Sequence, residues 1–355
     1  MKSVPSRPIF ITLGGSGAHR EETRADAIIF EPFAVAQEIV LNPKLPRPLR
    51  GVITAMVTPL REDLSLDEKG LERLIEHLIG GGVHGIFILG TTGEAPNLPY
   101  SVRSALIEQT CKRVASRVPV IVGITDTSYQ DALRMAVKSY ECGALAVVAA
   151  PPYYYQVSQA DLLQYFKRLA SDSPLPLFLY NAPLNTHLWI DIATVIQAAA
   201  EPNIVGLKDS GLNMGYFHAV REGVRGLADF SLLVGPDDLL AEAVLMGAHG
   251  GMAGGSNVWP RLFVALYEAA VARDVTRVSA LHQLAVQFDN AIYRSADHAS
   301  NPVRGLKCAL SLLGVCSTDL TLPLSAYSSK ERERVQQYLR QVDVLSVPMM
   351  SAVTL

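Results

Sequence analysis

The chain is short of charge, of cysteine and of long apolar runs. Asp, Glu, Lys and Arg make up 18% of its 355 residues, against about 25% for an average soluble domain. The two signs nearly cancel, since 34 acidic and 31 basic side chains leave a formal net charge of -3. With no basic excess to neutralise a phosphate backbone, nucleic acid is not an expected partner. The four cysteines, Cys111, Cys142, Cys308 and Cys316, show no CxxC spacing, and a chain this long needs no disulfide staples, so a reducing, cytoplasmic setting is expected. No apolar run approaches the roughly 18 residues of a membrane span, and the first apolar stretch, Pro8 to Leu13, is too short for a secretory core. Neither export nor a membrane anchor is expected. The eight histidines form no HExxH and no tight cluster, which leaves metal chemistry without a ligand set.

What the chain does have is 49% hydrophobic residues, enough for a buried core. Residues 1–49 are of mixed character, with Gly14, Gly15 and Gly17 together and Pro43, Pro46 and Pro48 close behind one another, and they read as an N-terminal extension and linker. Glu21, Glu22 and Asp26 fit an organelle transit peptide poorly, because such peptides are poor in acid. From Gly51 the pattern turns regular. Apolar, β-rich runs at Val52 to Val57, Gly85 to Leu89, Val118 to Ile124, Ala144 to Ala149, Leu177 to Tyr180, Ile204 to Leu207, Ser231 to Val234 and Gly250 to Ala253 alternate with stretches of helical period. Helix starts are marked by Ser65 with Glu68, which reads as a capping box, by Ser128 with Asp131, by Ser158 with Asp161 and by Pro236 and Pro260. Eight such units point to an α/β fold, a (β/α)8 barrel over residues 50–272, with strands apolar on both faces. Residues 273–355 read as further helices, among them Val278 to Ile292 and Val303 to Leu313, forming a C-terminal helical extension suited to oligomerisation.

Active sites in such barrels lie at the C-terminal ends of the strands. Lys208 is one of only nine lysines and ends the apolar run Asn203 to Leu207. Desolvation at a barrel mouth favours the neutral amine, the form that attacks a ketone to make a Schiff base; an ion pair with Asp209 or another carboxylate is the structural alternative. Tyr180 ends the preceding strand, where a phenol can relay protons, or can serve simply as a core tyrosine. Gly90-Thr91-Thr92-Gly93-Glu94 offers backbone amides and two hydroxyls to a carboxylate, or makes an ordinary turn. Asp237 and Asp238 follow the seventh run, where they favour a helix N-terminus. Gly250 to Asn257, which includes Met252, is small enough to leave room beside the site and has no basic residue for a phosphate. Gly80 to Gly85 matches GxGxxG but ends a helix and enters a strand, the reverse of the dinucleotide context.

Four segments, Gly90 to Glu94, Pro152-Tyr153-Tyr154, Tyr180-Asn181-Ala182-Pro183 and Val205 to Gly211, resemble in order and spacing the motifs of the dihydrodipicolinate synthase and N-acetylneuraminate lyase family, over about Gly51 to Leu324. The resemblance implies a Schiff-base barrel, mostly homotetrameric in that family, acting on pyruvate or releasing it. It makes Lys208 the imine-forming lysine and Tyr180 the relay phenol. Thr91 and Thr92 with Gly90 would hold the keto acid's carboxylate, and Tyr154 matches a tyrosine that reaches a neighbouring subunit's site. Asp238 and Met252 would line the substrate. No metal or organic cofactor is implied, because the imine itself is the electron sink.

One departure bears on the substrate. The synthase branch has an arginine two positions after the Tyr-Asn-x-Pro proline, gripping a carboxylate; here it is Asn185, and a carboxamide does not reproduce a bidentate guanidinium. Asn185-Thr186 and Lys208 to Gly211 look more like the branch containing 4-hydroxy-2-oxoglutarate aldolase, so the expected function is a lyase that forms or cleaves a C–C bond between pyruvate and an aldehyde. The alternatives are a dehydratase of 2-keto-3-deoxy sugar acids, dihydrodipicolinate synthase proper, and a barrel that binds keto acids without turnover.

Overall fold

The computed structural model describes residues 45–294 and 302–342, so most of the N-terminal extension and residues 343–355 lie outside the described residues. The strands are β1 (Gly51–Ala55), β2 (Gly85–Ile88), β3 (Val120–Gly123), β4 (Ala146–Ala149), β5 (Leu177–Asn181), β6 (Ile204–Asp209), β7 (Ser231–Val234) and β8 (Gly250–Ala253). Each pairs in parallel with the next and β8 pairs with β1, closing the expected eight-stranded barrel. The barrel helices are α1 (Glu68–Gly80), α2 (Tyr100–Val114), α3 (Tyr129–Glu141), α4 (Gln159–Asp172), α5 (Pro183–Thr186), α6 (Ile192–Ala198), α7 (Met214–Gly223), α8 (Leu240–Leu245) and α9 (Pro260–Val271). A C-terminal extension follows as α10 (Val275–Ile292), α11 (Pro302–Leu312) and α12 (Ser329–Gln341). Among the described residues no helix is long and apolar enough to cross a membrane.

Local chemistry explains where the elements begin. Ser128 and Ser158 cap α3 and α4, each accepting the backbone N–H of the aspartate three residues on, and Pro260 opens α9. The capping box at Ser65 does not form. The Ser65 backbone N–H and hydroxyl both donate to Asp63 Oδ1, at 3.0 and 2.5 Å, and α1 starts two residues later behind Asp67. A nearer carboxylate took the serine into a turn before a helix could use it. The second strand stops one residue short of expectation because Leu89 has φ 57°, a left-handed backbone that cannot extend a strand.

Alternate strand residues serve two separate cores. Ile86 and Ile88, Val120 and Val122, and Leu232 and Val234 pack outward against the helices, whereas Ile53, Phe87, Ile121, Phe178, Leu233 and Met252 fill the barrel. Leu45 and Leu49 join the inner cluster, and Leu49 N–H donates to Ser231 Oγ where β7 begins, so this stretch closes the N-terminal end of the barrel. The strands are buried on both faces throughout.

β6 breaks the alternation in a way that matters. Its pairing with β5 runs Leu177 to Ile204 and then Phe178 to Gly206, so Val205 is an extra residue. Val205 faces inward with the barrel core, yet Leu207, two residues on, faces outward with the helices. Without the bulge the strict alternation of a strand would put Lys208 on the outer face; with it, Lys208 points into the barrel.

Candidate active site

Lys208 and Tyr180 are register partners on neighbouring strands, so their side chains leave the sheet on the same side. The Lys208 ammonium lies 4.2 Å from the centre of the Tyr180 ring and 4.8 Å from that of Phe87, with the residue only 4% exposed. Among the described residues it has no carboxylate partner. Asp209, the alternative suggested by adjacency, stands on the other face, where its Oδ1 accepts from Asn181 Nδ2 at 2.8 Å and from Gly211 N–H at 2.9 Å. Burial raises the pKa of that carboxyl, offset in part by these two donors. The Asp209 to Asn181 contact ties the ends of β5 and β6 together, and Asn181 Oδ1 in turn accepts from Ile190 N–H.

The Tyr180 hydroxyl is 3.4 Å from Thr91 Oγ1, which brings the mouth turn after β2 onto the phenol. Burial pushes the phenol up, but the neighbouring Lys208 ammonium and hydrogen bonds from Thr91, Ser210 and Lys208 outweigh it and leave the group below its ordinary value. Ser210 and Phe87 are site residues that motif reading passed over. A Cβ on Gly235 would come within 1.9 Å of Ser210 Oγ and 3.4 Å of Lys208 Cε, so the glycine after β7 clears space for both. Phe87 carried a legible signal as a bulky inward residue at the end of β2; Ser210 carried one only as the continuation of the Lys208 run.

The other expected residues fall into three groups. Gly90 and Thr92 belong to the same mouth turn as Thr91, and a Cβ on Gly90 would lie 2.5 Å from the Phe87 ring, so that turn rests directly on the wall below the ammonium. Met252 is buried in the inner cluster that includes Tyr180. Asn185 lies exposed on α5, just beyond β5, and Asp238 is half-buried in the turn after β7. Tyr154 is not brought to Lys208: it is 77% exposed on the loop after β4, edge-on to Tyr155.

Asp237 and the glycine-rich loop after β8 turn out to serve each other. Asp237 Oδ2 accepts from Gly255 N–H at 2.7 Å and from the Tyr293 hydroxyl at 2.5 Å, so the carboxylate points at α10's end and away from solvent. Asn257 spends its side chain on Val57 N–H, Ala55 O and Gly254 O. A loop whose free amide already faces a carboxylate does not cradle phosphate. Burial raises the Asp237 carboxyl to about 6, against the pull of Tyr293 and Gly255; burial together with Asp237 and Asp238 raises that of Asp289 to about 8. Both folded values exceed the ordinary 3.8, so the folded chain holds more protons than the unfolded one above that pH. Stability from this cluster is therefore complete below about pH 4 and is lost as the pH rises toward about 8. Asp289→Asn is expected to flatten that fall; equal changes in melting temperature from pH 5 to pH 8 in variant and wild type, on the order of a degree, would refute it.

Known proteins match the chain over the whole barrel. The profile of the dihydrodipicolinate synthetase family matches residues 48–342. A 4-hydroxy-tetrahydrodipicolinate synthase of Aromatoleum aromaticum is 33% identical over 296 residues, covering 83% of this chain and 99% of the relative. The structure of dihydrodipicolinate synthase from Bacteroides thetaiotaomicron is 44% identical, covers 84% of this chain and 100% of its own, and superposes with a TM-score of 0.81. YagE, a prophage protein of the dihydrodipicolinic acid synthase family from E. coli solved in complex with pyruvate, is 31% identical, covers 83% of this chain and 99% of its own, and gives a TM-score of 0.78.

Proposed function

Because the chain belongs to the dihydrodipicolinate synthetase family, and is thus a lyase of the Schiff-base aldolase type, we propose that it cleaves or forms a C–C bond between pyruvate and an aldehyde through an imine on Lys208, with a hydroxylated 2-keto acid resembling 4-hydroxy-2-oxoglutarate as the larger substrate. The observation that carries this reading is a buried lysine with no carboxylate partner among the described residues, set against the phenol of Tyr180 in the barrel interior.

In the cleavage direction Lys208 adds to the C2 ketone, and the carbinolamine loses water to give the imine. Tyr180, relayed by Thr91, takes the proton of the C4 hydroxyl. The C3–C4 bond breaks, its electron pair moves into the imine, and the C4–O bond becomes the carbonyl of the departing aldehyde. The enamine is protonated at C3, and hydrolysis of the imine releases pyruvate. The imine is the electron sink, so neither a metal nor an organic cofactor enters the scheme. Thr92 and the amides at Gly90 hold the 2-keto acid's carboxylate, Met252 walls its reacting end, Asn185 meets its distal carboxylate and Asp238 a hydroxyl. Tyr154, exposed in the single chain, fits a role across an interface in a homo-oligomer. The four unpaired cysteines support a cytoplasmic setting.

A second reading, synthesis of 4-hydroxy-tetrahydrodipicolinate, is favoured by the relatives' names and opposed by Asn185, which lacks the guanidinium that grips a second carboxylate. Two assays of the purified chain separate them: pyruvate released from 4-hydroxy-2-oxoglutarate, and condensation of pyruvate with aspartate semialdehyde. The first is expected to exceed the second in kcat/KM; the reverse order would overturn the aldolase reading.

A further inference from the structure

We propose that Glu94, Lys307 and Thr321 form a positioning lock, through which the C-terminal helical extension holds the mouth turn and so sets Thr91 against Tyr180. The inference rests on the Schiff-base reading above and adds residues that reading does not use.

The turn's own hydrogen bonds, Gly93 N–H to Gly90 O at 3.1 Å and Glu94 N–H to Thr91 O at 3.0 Å, do not relieve the strain at its two ends. The turn is bracketed by Leu89 at φ 57° and Glu94 at φ 58°, two non-glycine residues in the left-handed region, a backbone that persists only where its surroundings over-determine it. Thr58 pins it from the barrel side, donating its hydroxyl to Gly93 O at 2.6 Å. The second pin is Glu94, whose N–H donates to Thr91 O at 3.0 Å and whose carboxylate is fully buried. Glu94 Oε1 is 2.6 Å from Lys307 Nζ, and Oε2 accepts from both the N–H and the hydroxyl of Thr321, at 2.8 and 2.7 Å. Lys307 is buried as completely and also donates to Asp319 O at 2.5 Å.

Lys307 and Thr321 come from α11 and the segment after it, and Thr321 is 227 residues from Glu94 in the sequence. A buried ion pair gains little net stability over apolar packing, but it fixes one arrangement, because either charge alone would be stranded. The arrangement it fixes ends at Thr91, whose contact with Tyr180 is 3.4 Å, at the long end of hydrogen bonding. A small displacement of the turn would therefore break the relay while leaving the lysine in place.

The test uses the full chain with Lys307→Met, Thr321→Val and the double variant Glu94→Gln/Lys307→Met. Two quantities are read: the fraction of chain trapped by borohydride with saturating pyruvate, and the rate at which deuterium from solvent enters the pyruvate methyl group, followed by NMR. Lys307→Met is expected to trap fully while exchange per trapped site falls about 10- to 100-fold, the scale of loss when a catalytic group is misplaced by an ångström. Thr321→Val, the milder change, should lower exchange per trapped site by roughly 3- to 10-fold for one lost hydrogen bond. The double variant should recover part of the loss, since no charge is left stranded.

Unchanged exchange per trapped site in both single variants would overturn the proposal. So would an equal loss of trapping and exchange, the signature of a merely structural staple. If Lys307→Met does not fold, Thr321→Val decides. A wild type that traps no pyruvate would instead bring down the Schiff-base reading and the lock with it.

Discussion

Alanine at position 208 is expected to leave a folded barrel that forms no covalent adduct with pyruvate and turns over at least about 10³-fold more slowly. The size of the effect follows from there being no substitute in place. Tyr180, Thr91 and Ser210 offer only hydroxyls to the interior of the barrel, and a hydroxyl cannot make an imine. Survival of the fold follows from the same geometry, because Lys208 has no ion-pair partner among the described residues to be stranded. Lys208→Arg should be as inactive, since a guanidinium stays protonated and does not add to a ketone. Intact mass after borohydride reduction with pyruvate, paired with a thermal melt, reads both halves. An adduct of pyruvate mass on Lys208→Ala would show that the nucleophile lies elsewhere.

Tyr180→Phe carries the second-largest expected effect, a fall of about 10²- to 10³-fold in kcat, the worth of a positioned proton relay. Trapping should still occur, because in the proposed mechanism the imine forms on Lys208. Burial by itself would push this phenol up and out of reach of working pH. The Lys208 ammonium and the donors around the hydroxyl outweigh it and hold the group below 10. Removing one of those donors with Thr91→Val must therefore move the phenol upward, and the limb of the pH–rate profile set by this phenol should move upward with it. Tyrosinate absorbance across the same titration gives an independent reading. A Tyr180→Phe enzyme with wild-type kcat would remove the phenol from the mechanism.

The two variants probe residues of very different legibility. The alternation of apolar strands and amphipathic helices, the serine caps at Ser128 and Ser158 and the proline at Pro260 are local signals, set within a few residues by periodicity and backbone hydrogen bonding. Where two local signals competed, at Ser65, the nearer carboxylate won and the expected capping box was lost. Lys307 left a trace of its burial, lying on the same helical face as Val303 and Leu310, all three buried. Its partner could not be read, because Glu94 meets it only once the chain has closed around the barrel.

By itself the sequence determined the number and order of the strands, the end of the barrel at which Lys208, Tyr180 and Thr91 gather, and the residue types brought there, because each of these follows from spacing along one segment. Only the tertiary structure decided which way those residues face. Lys208 points inward because β6 carries one residue more than β5 at Val205, a property of the pair of strands and not of either alone. Asp237 turns from the mouth because Tyr293 and Gly255, from elements beyond the strand, meet its carboxylate. Such contacts close over long loops, and their free energy depends on distance in space, to which spacing along the chain is blind.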